Sequence, residues 1–72
     1  FTLAKSGFVS LSIYDILGRK TRTLVSENLA RGYKSVLWDG ENDFGKEVAS
    51  GIYFYQLRIG DFSKAKKMLL LK

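Results

Sequence analysis

Short runs in which apolar and polar residues alternate recur along the chain, and no window of useful length shows helical periodicity. Val9, Leu11 and Ile13 alternate with Ser10, Ser12 and Tyr14. That pattern predicts a half-buried strand with its aliphatic face on the odd residues. Asp15-Ile-Leu-Gly18 follows, and Gly18 suits the left-handed position that closes a short hairpin loop. Lys20 to Val25, rich in Thr and Val, is the return strand. Ahead of this hairpin, Phe1 to Ala4 has the look of an incomplete first strand, ended by a turn at Lys5-Ser6-Gly7.

Ser26 to Gly32 is expected to be a loop, because Gly32 stops the single helical turn that Ser26, Asn28 and Leu29 would open. Tyr33 to Trp38 is the next expected strand, with Lys34, Val36 and Trp38 on one face and Tyr33, Ser35 and Leu37 on the other. Asp39 to Lys46 is a long polar turn. Ile52 to Ile59 is the strongest strand, with Tyr53, Phe54 and Tyr55 near its start. Gly60-Asp61 is a two-residue hairpin signal, and Phe62 to Leu71 completes the last hairpin.

Six or seven short strands without a helix predict an all-β fold, a small antiparallel β-sandwich in a single domain spanning residues 1–72. A barrel is the alternative. A lone sheet is disfavoured, because the strand from Ile52 to Ile59 carries bulky apolar groups on both faces. The expected core is Val9, Leu11, Ile13, Trp38, Tyr53, Tyr55 and Leu57. An exposed sheet edge is expected near residues 1–8 or in the last hairpin, where it would invite strand exchange or edge-mediated self-association.

Composition narrows the chemistry. With 72 residues, folding buries only about 60% of the chain's unfolded surface, so the core is thin. Cys and His are both zero. That excludes disulfides, the usual zinc sites and any Ser–His or Cys–His nucleophile pair. The longest strictly apolar run is Met68 to Leu71, far short of the roughly 20 residues of a membrane-spanning helix. Residue 1 is Phe with no leader behind it, which points to a piece of a longer protein. Twelve Lys and Arg against seven Asp and Glu give a net charge of +5. The four lysines 64, 66, 67 and 72 share the stretch from Phe62 to Lys72 with no acid, while acids gather from Asp39 to Glu47.

Asp39, Glu41, Asn42 and Asp43 place four oxygen-bearing side chains in five positions, which makes a candidate Ca²⁺ cluster. The EF-hand spacing is absent, and a turn whose side chains bond local backbone is the simpler account. Tyr53 and Tyr55 would make a stacking platform if exposed, but their alternation with Phe54 assigns them to the core. A solvent-facing Trp38 would suit a carbohydrate, and a core Trp38 would fill the sandwich. Lys64, Lys66 and Lys67 would suit phosphate, but Arg is scattered over positions 19, 22, 31 and 58, so nucleic acid is not an expected partner. Lysines also protect an edge strand from pairing, and such a strand is one that a partner can extend. Seven carboxylates in or near turns of a thin sandwich give no cleft for acid–base work, so no enzyme and no cofactor is expected.

Three stretches carry a family resemblance. They are Val9-Ser-Leu-Ser-Ile-Tyr-Asp-Ile-Leu-Gly-Arg19, Ala30-Arg-Gly-Tyr33 leading into Trp38-Asp-Gly-Glu-Asn-Asp-Phe-Gly45, and Ala49-Ser-Gly-Ile-Tyr-Phe-Tyr-Gln-Leu57 running to Lys66-Lys-Met-Leu-Leu-Leu-Lys72. Together they resemble the type A C-terminal sorting domains of the type IX secretion system. They equally resemble the Ig-like domain of the flagellar hook-capping protein. Both imply an Ig-like or fibronectin-like sandwich. The first implies a non-catalytic secretion signal, recognised by an outer-membrane translocon and cleaved by a sortase-like peptidase. Its host protein would be secreted or held at the cell surface, through the periplasm of a Gram-negative bacterium. On that resemblance the recognition residues are Gly51, Tyr53, Lys64, Lys66, Lys67 and Lys72. The Gly-x-Tyr turn matches at Gly51-Ile52-Tyr53 but departs at Gly32-Tyr33, and the usual Asn-Pro-rich lead-in is missing. An accessory module, carbohydrate-binding or structural and Ig-like, is the alternative function.

Overall fold

In a computed structural model describing residues 1–71, two antiparallel sheets form a small sandwich. Lys72, named above as a recognition residue, lies outside the described residues. The larger sheet has four strands in the order β3-β2-β5-β6: β2 is Gly7–Tyr14, β3 Lys20–Leu29, β5 Gly51–Ile59 and β6 Phe62–Leu70. The smaller sheet is a two-residue ribbon in which β1 (Thr2–Leu3) pairs with β4 (Gly32–Tyr33). No helix occurs among the described residues.

The inner face of the four-stranded sheet follows from period-2 alternation. Val9, Leu11 and Ile13 on β2 stand opposite Ile59, Leu57 and Tyr55 on β5. Val9 and Ile13 are completely enclosed, and Leu3 from the ribbon closes over Val9, Leu11 and Leu57. The pairing of β2 with β3 slips twice: Leu11 faces Val25 but Ser12 faces Thr23, and Ile13 faces Arg22 but Tyr14 faces Lys20. The extra residues, Leu24 and Thr21, make bulges that increase local twist. The first bulge lets the consecutive residues Leu24 and Val25 both pack on the core, which strict alternation would forbid.

Several expected boundaries move. The stretch from Ser26 to Leu29, expected as loop, continues β3, because its backbone pairs with Gly7 to Ser10 of β2. Its polar residues are those of an edge strand facing solvent. Conversely, the strand expected over Tyr33 to Trp38 is paired only at Gly32–Tyr33. Beyond this, Lys34 N–H donates to the Phe1 carbonyl and the Phe1 amino group to the Lys34 carbonyl, both at 2.7 Å, and no strand pairing continues through Trp38. The alternation nevertheless holds there: Lys34, Val36 and Trp38 are half-buried, while Tyr33, Ser35 and Leu37 are exposed. The first strand narrows to Thr2–Leu3, and the last ends at Leu70 rather than Leu71. Of the expected core, Trp38 and Tyr55 are half-buried rather than enclosed. The covering layer is narrower than the sheet, and a groove of about 480 Å³ opens between Val36 and Trp38 on one side and Tyr55, Leu57, Lys64 and Met68 on the other.

Candidate functional site

The polar residues singled out by the sequence are organised by one turn used twice. In Asp15-Ile-Leu-Gly18-Arg19, Asp15 N–H donates to the Arg19 carbonyl and Gly18 N–H to the Asp15 carbonyl, both at 2.9 Å. The Asp15 Oδ1 accepts the amides of Leu17 and Arg19, again at 2.9 Å. In Asn42-Asp-Phe-Gly45-Lys46 the same four bonds recur. Asn42 N–H donates to the Lys46 carbonyl at 2.8 Å and Gly45 N–H to the Asn42 carbonyl at 3.0 Å. Asn42 Oδ1 accepts Phe44 N–H at 2.9 Å and Lys46 N–H at 3.1 Å. Both turns close on a left-handed glycine, Gly18 at φ 83° and Gly45 at φ 79°. A side chain with Cβ is strained there, and an Asp or Asn oxygen at the first position supplies the acceptor that the bent backbone needs.

The second turn lies against the edge of β3. Asp43 N–H donates to the Thr21 carbonyl at 3.0 Å, and Thr23 N–H donates to the Asp43 Oδ1 at 2.9 Å. These two bonds imitate a strand ladder at the β3 bulge. Arg22 anchors the same loop: its guanidinium donates to the carbonyls of Glu41 at 3.4 Å and Asn42 at 3.3 Å, and lies 3.5 Å from the Asp39 carboxylate and 4.0 Å from that of Asp43. Asp39 Oδ1 accepts Glu41 N–H at 3.0 Å. The candidate cation oxygens of Asp39, Asn42 and Asp43 are therefore engaged with backbone amides and one guanidinium. Among the described residues no group of three or more acidic side chains converges as a metal holder.

Tyr53 and Trp38 fix the other end of the loop. Tyr53 is buried, and its hydroxyl donates to the Ala49 carbonyl at 2.6 Å. The Trp38 ring meets it edge to face, with centroids 5.1 Å apart at 72°, and the Trp38 Nε1–H donates to the Glu41 carbonyl at 2.8 Å. Gly51, two residues ahead of Tyr53 in the Gly-x-Tyr match and the first residue of β5, sits at φ 153°, a conformation that favours glycine. Neither aromatic is arranged as an exposed stacking platform.

The lysines expected to serve in recognition divide between two faces. Lys64 and Lys66 stand opposite Leu57 and Tyr55, so they share the inner face with Met68; Lys67 stands opposite Phe54 on the outer face. All three are exposed, and none has an ion-pair partner among the described residues. Asp15 and Arg22 play parts beyond those expected from the sequence. The signal for Asp15 was present as a repeated Asp/Asn-x-apolar-Gly-Arg/Lys spacing; Arg22 carried none.

A two-layer antiparallel sandwich with side chains committed to turn backbone defines a small Ig-like domain. A family model, the FlgD Ig-like domain, matches residues 2–59, and the chain belongs to that family. The match ends at Ile59 and so leaves out β6. No curated protein and no solved structure matches the chain.

Proposed function

We propose that this domain is a structural Ig-like module of the flagellar hook-capping kind, non-catalytic and acting through the surfaces it holds in place. The observation that carries this reading is the family match over residues 2–59, read together with the paired turns. Asp15, Asn42 and Asp43 commit their side-chain oxygens to backbone amides. The apolar residues at the turn tips, Leu17 and Phe44, are left 73% and 88% exposed. Such a module would work outside the cytoplasm of a Gram-negative bacterium. The test is an in-frame deletion of residues 1–72 from the parent gene, with hooks counted by electron microscopy. Loss of hook assembly with the rest of the protein still exported supports the module; normal assembly contradicts it.

The lysines of β6, exposed and without ion-pair partners among the described residues, favour a second reading, in which the domain is a sorting signal for an outer-membrane translocon and a sortase-like peptidase. A fluorescent reporter carrying residues 1–72, expressed in a bacterium with a type IX system, separates the two. Surface display that depends on Lys64, Lys66 and Lys67 supports the signal, and retention in the periplasm defeats it.

A further inference from the structure

We propose that β6 is a docking edge that takes an extended, acidic segment of a partner protein as a fifth strand of the sheet. Such an edge would serve the domain in whichever assembly it works. A four-stranded open sheet has two edges, here β3 and β6. The β3 edge is covered at its bulge, where Asp43 takes up both the Thr21 carbonyl and the Thr23 amide. Among the described residues no comparable cover lies over β6, and β5 is the one strand that neighbours it in the sheet. Unpaired backbone along a nine-residue edge is a template for strand addition.

Charge selects the occupant. The stretch from Phe62 to Lys72 contains four lysines and no acid, and Lys64, Lys66 and Lys67 are without ion-pair partners among the described residues. A second copy of β6 laid antiparallel in full overlap would set Lys66 directly against Lys66, with Lys64 and Lys67 of both copies close by, and like charges in cross-strand positions are destabilising. An acidic strand reverses that sign. Its alternate carboxylates would stand beside Lys64 and Lys66 on the inner face, at the edge where the groove bounded by Tyr55, Met68 and Trp38 opens, and its intervening apolar side chains would lie on the outer face beside Ala65 and Leu69. The lysines thus block self-pairing and select acidic partners in one device.

The probe is a capped peptide of about eight residues alternating Glu and Val, long enough to span most of β6. Its controls are the Lys/Val counterpart and a Glu/Val peptide with a central Pro, which cannot complete a ladder. Each is titrated into the full 72-residue chain at low salt while backbone amide resonances are followed. The Glu peptide should shift the amides of Phe62 to Leu70, the Lys and Pro peptides should not, and added salt should weaken the effect. Lys64→Glu combined with Lys66→Glu should weaken binding of the Glu peptide by roughly tenfold or more, from two cross-strand pairs, and should transfer binding to the Lys peptide. That gain of binding keeps the test independent of any loss of folding. Absence of binding, equal binding of both charged peptides, shifts outside β6 and its groove, or dimerisation of the free chain through β6 would each overturn the proposal. A negative result here leaves the hook-assembly experiment to judge the module reading separately.

Discussion

Asp15 and Asn42, twenty-seven positions apart in the chain, hold their turns with the same pair of bonds: each Oδ1 accepts the amides two and four residues further on. One turn carries a carboxylate and the other an amide, so the acceptor and not the charge is what the turn requires. Removing the acceptor from the partly buried Asn42 by Asn42→Ala should cost ~1–2 kcal/mol, the value of two modest hydrogen bonds, read as a lower denaturation midpoint at unchanged slope. Asp15→Ala should shift the midpoint in the same direction.

The difference between the two turns appears with pH. The Arg19 backbone amide above all, with the Arg19 guanidinium and the Leu17 amide, holds the Asp15 carboxyl below its ordinary value of 3.8, against a smaller opposing effect of desolvation. A carboxyl with a lowered folded pKa contributes stability that is complete above the unfolded value and lost as pH falls through the folded one. Stability curves should therefore decline below about pH 4 in part through Asp15. Asp15→Asn should keep the turn while removing that part of the decline, as Asn42 already does. An unchanged acid limb in Asp15→Asn would show that the carboxylate is not held as described.

Gly45 and Gly7 make a matched pair. A Cβ at either meets nothing within 4 Å, but Gly45 lies at φ 79° and Gly7 outside the left-handed region. Gly45→Ala should destabilise by ~1–2 kcal/mol through backbone strain alone. Gly7→Ala should be neutral or stabilise by up to ~1 kcal/mol through the unfolded chain. Thermal melts of the two variants test this directly.

Tyr53 fastens the covering segment to the sheet. Tyr53→Phe should cost ~1 kcal/mol, because the Ala49 carbonyl loses its donor. Tyr53→Ala should cost ~3–5 kcal/mol, a large share of what a domain of this size has. Tyr55→Ala should cost less, since Tyr55 borders the open groove. A double-mutant cycle between Trp38 and Tyr53 should return a coupling of ~0.5–1.5 kcal/mol from the edge-to-face pair.

Calcium provides a check on the acidic turn. With Asp39, Asn42 and Asp43 oxygens bonded to amides and Arg22 lying among them, millimolar Ca²⁺ should leave the melting temperature unchanged. A calcium-dependent rise that disappears in Asp43→Asn would assign the turn to a cation instead.

What the sequence made legible was set by periodicity. The faces of β2 and β5 follow from alternation alone, and so does the inward set Lys34, Val36 and Trp38, although that segment is unpaired for most of its length. Alternation reports which side of an extended chain is covered; it carries no information about whether a neighbour supplies hydrogen bonds. The continuation of β3 through Ser26 to Leu29 was hidden because an edge strand needs no apolar pattern to pair. Leu24 and Val25 share the core only because a bulge breaks period two, and no local signal marks it. At the site, the turn character of Asp39 to Lys46 was visible in composition. The docking of Asp43 on Thr21 and Thr23 was not, since it joins residues about twenty apart in the chain.

The acidic turn serves as a structural cap on one edge of the sheet and leaves β6 as the other, open edge. Amide hydrogen exchange on the intact chain, compared with Asp43→Ala, tests it most directly. In the unaltered protein the Thr23 amide should be protected to the level of paired β3 amides, and in Asp43→Ala it should exchange much faster while the amides that join β2 to β5 keep their protection. The amides of β6 that point away from β5 should exchange rapidly in both. A Thr23 amide that exchanges freely in the unaltered protein, or uniform protection along both sides of β6, would contradict the account.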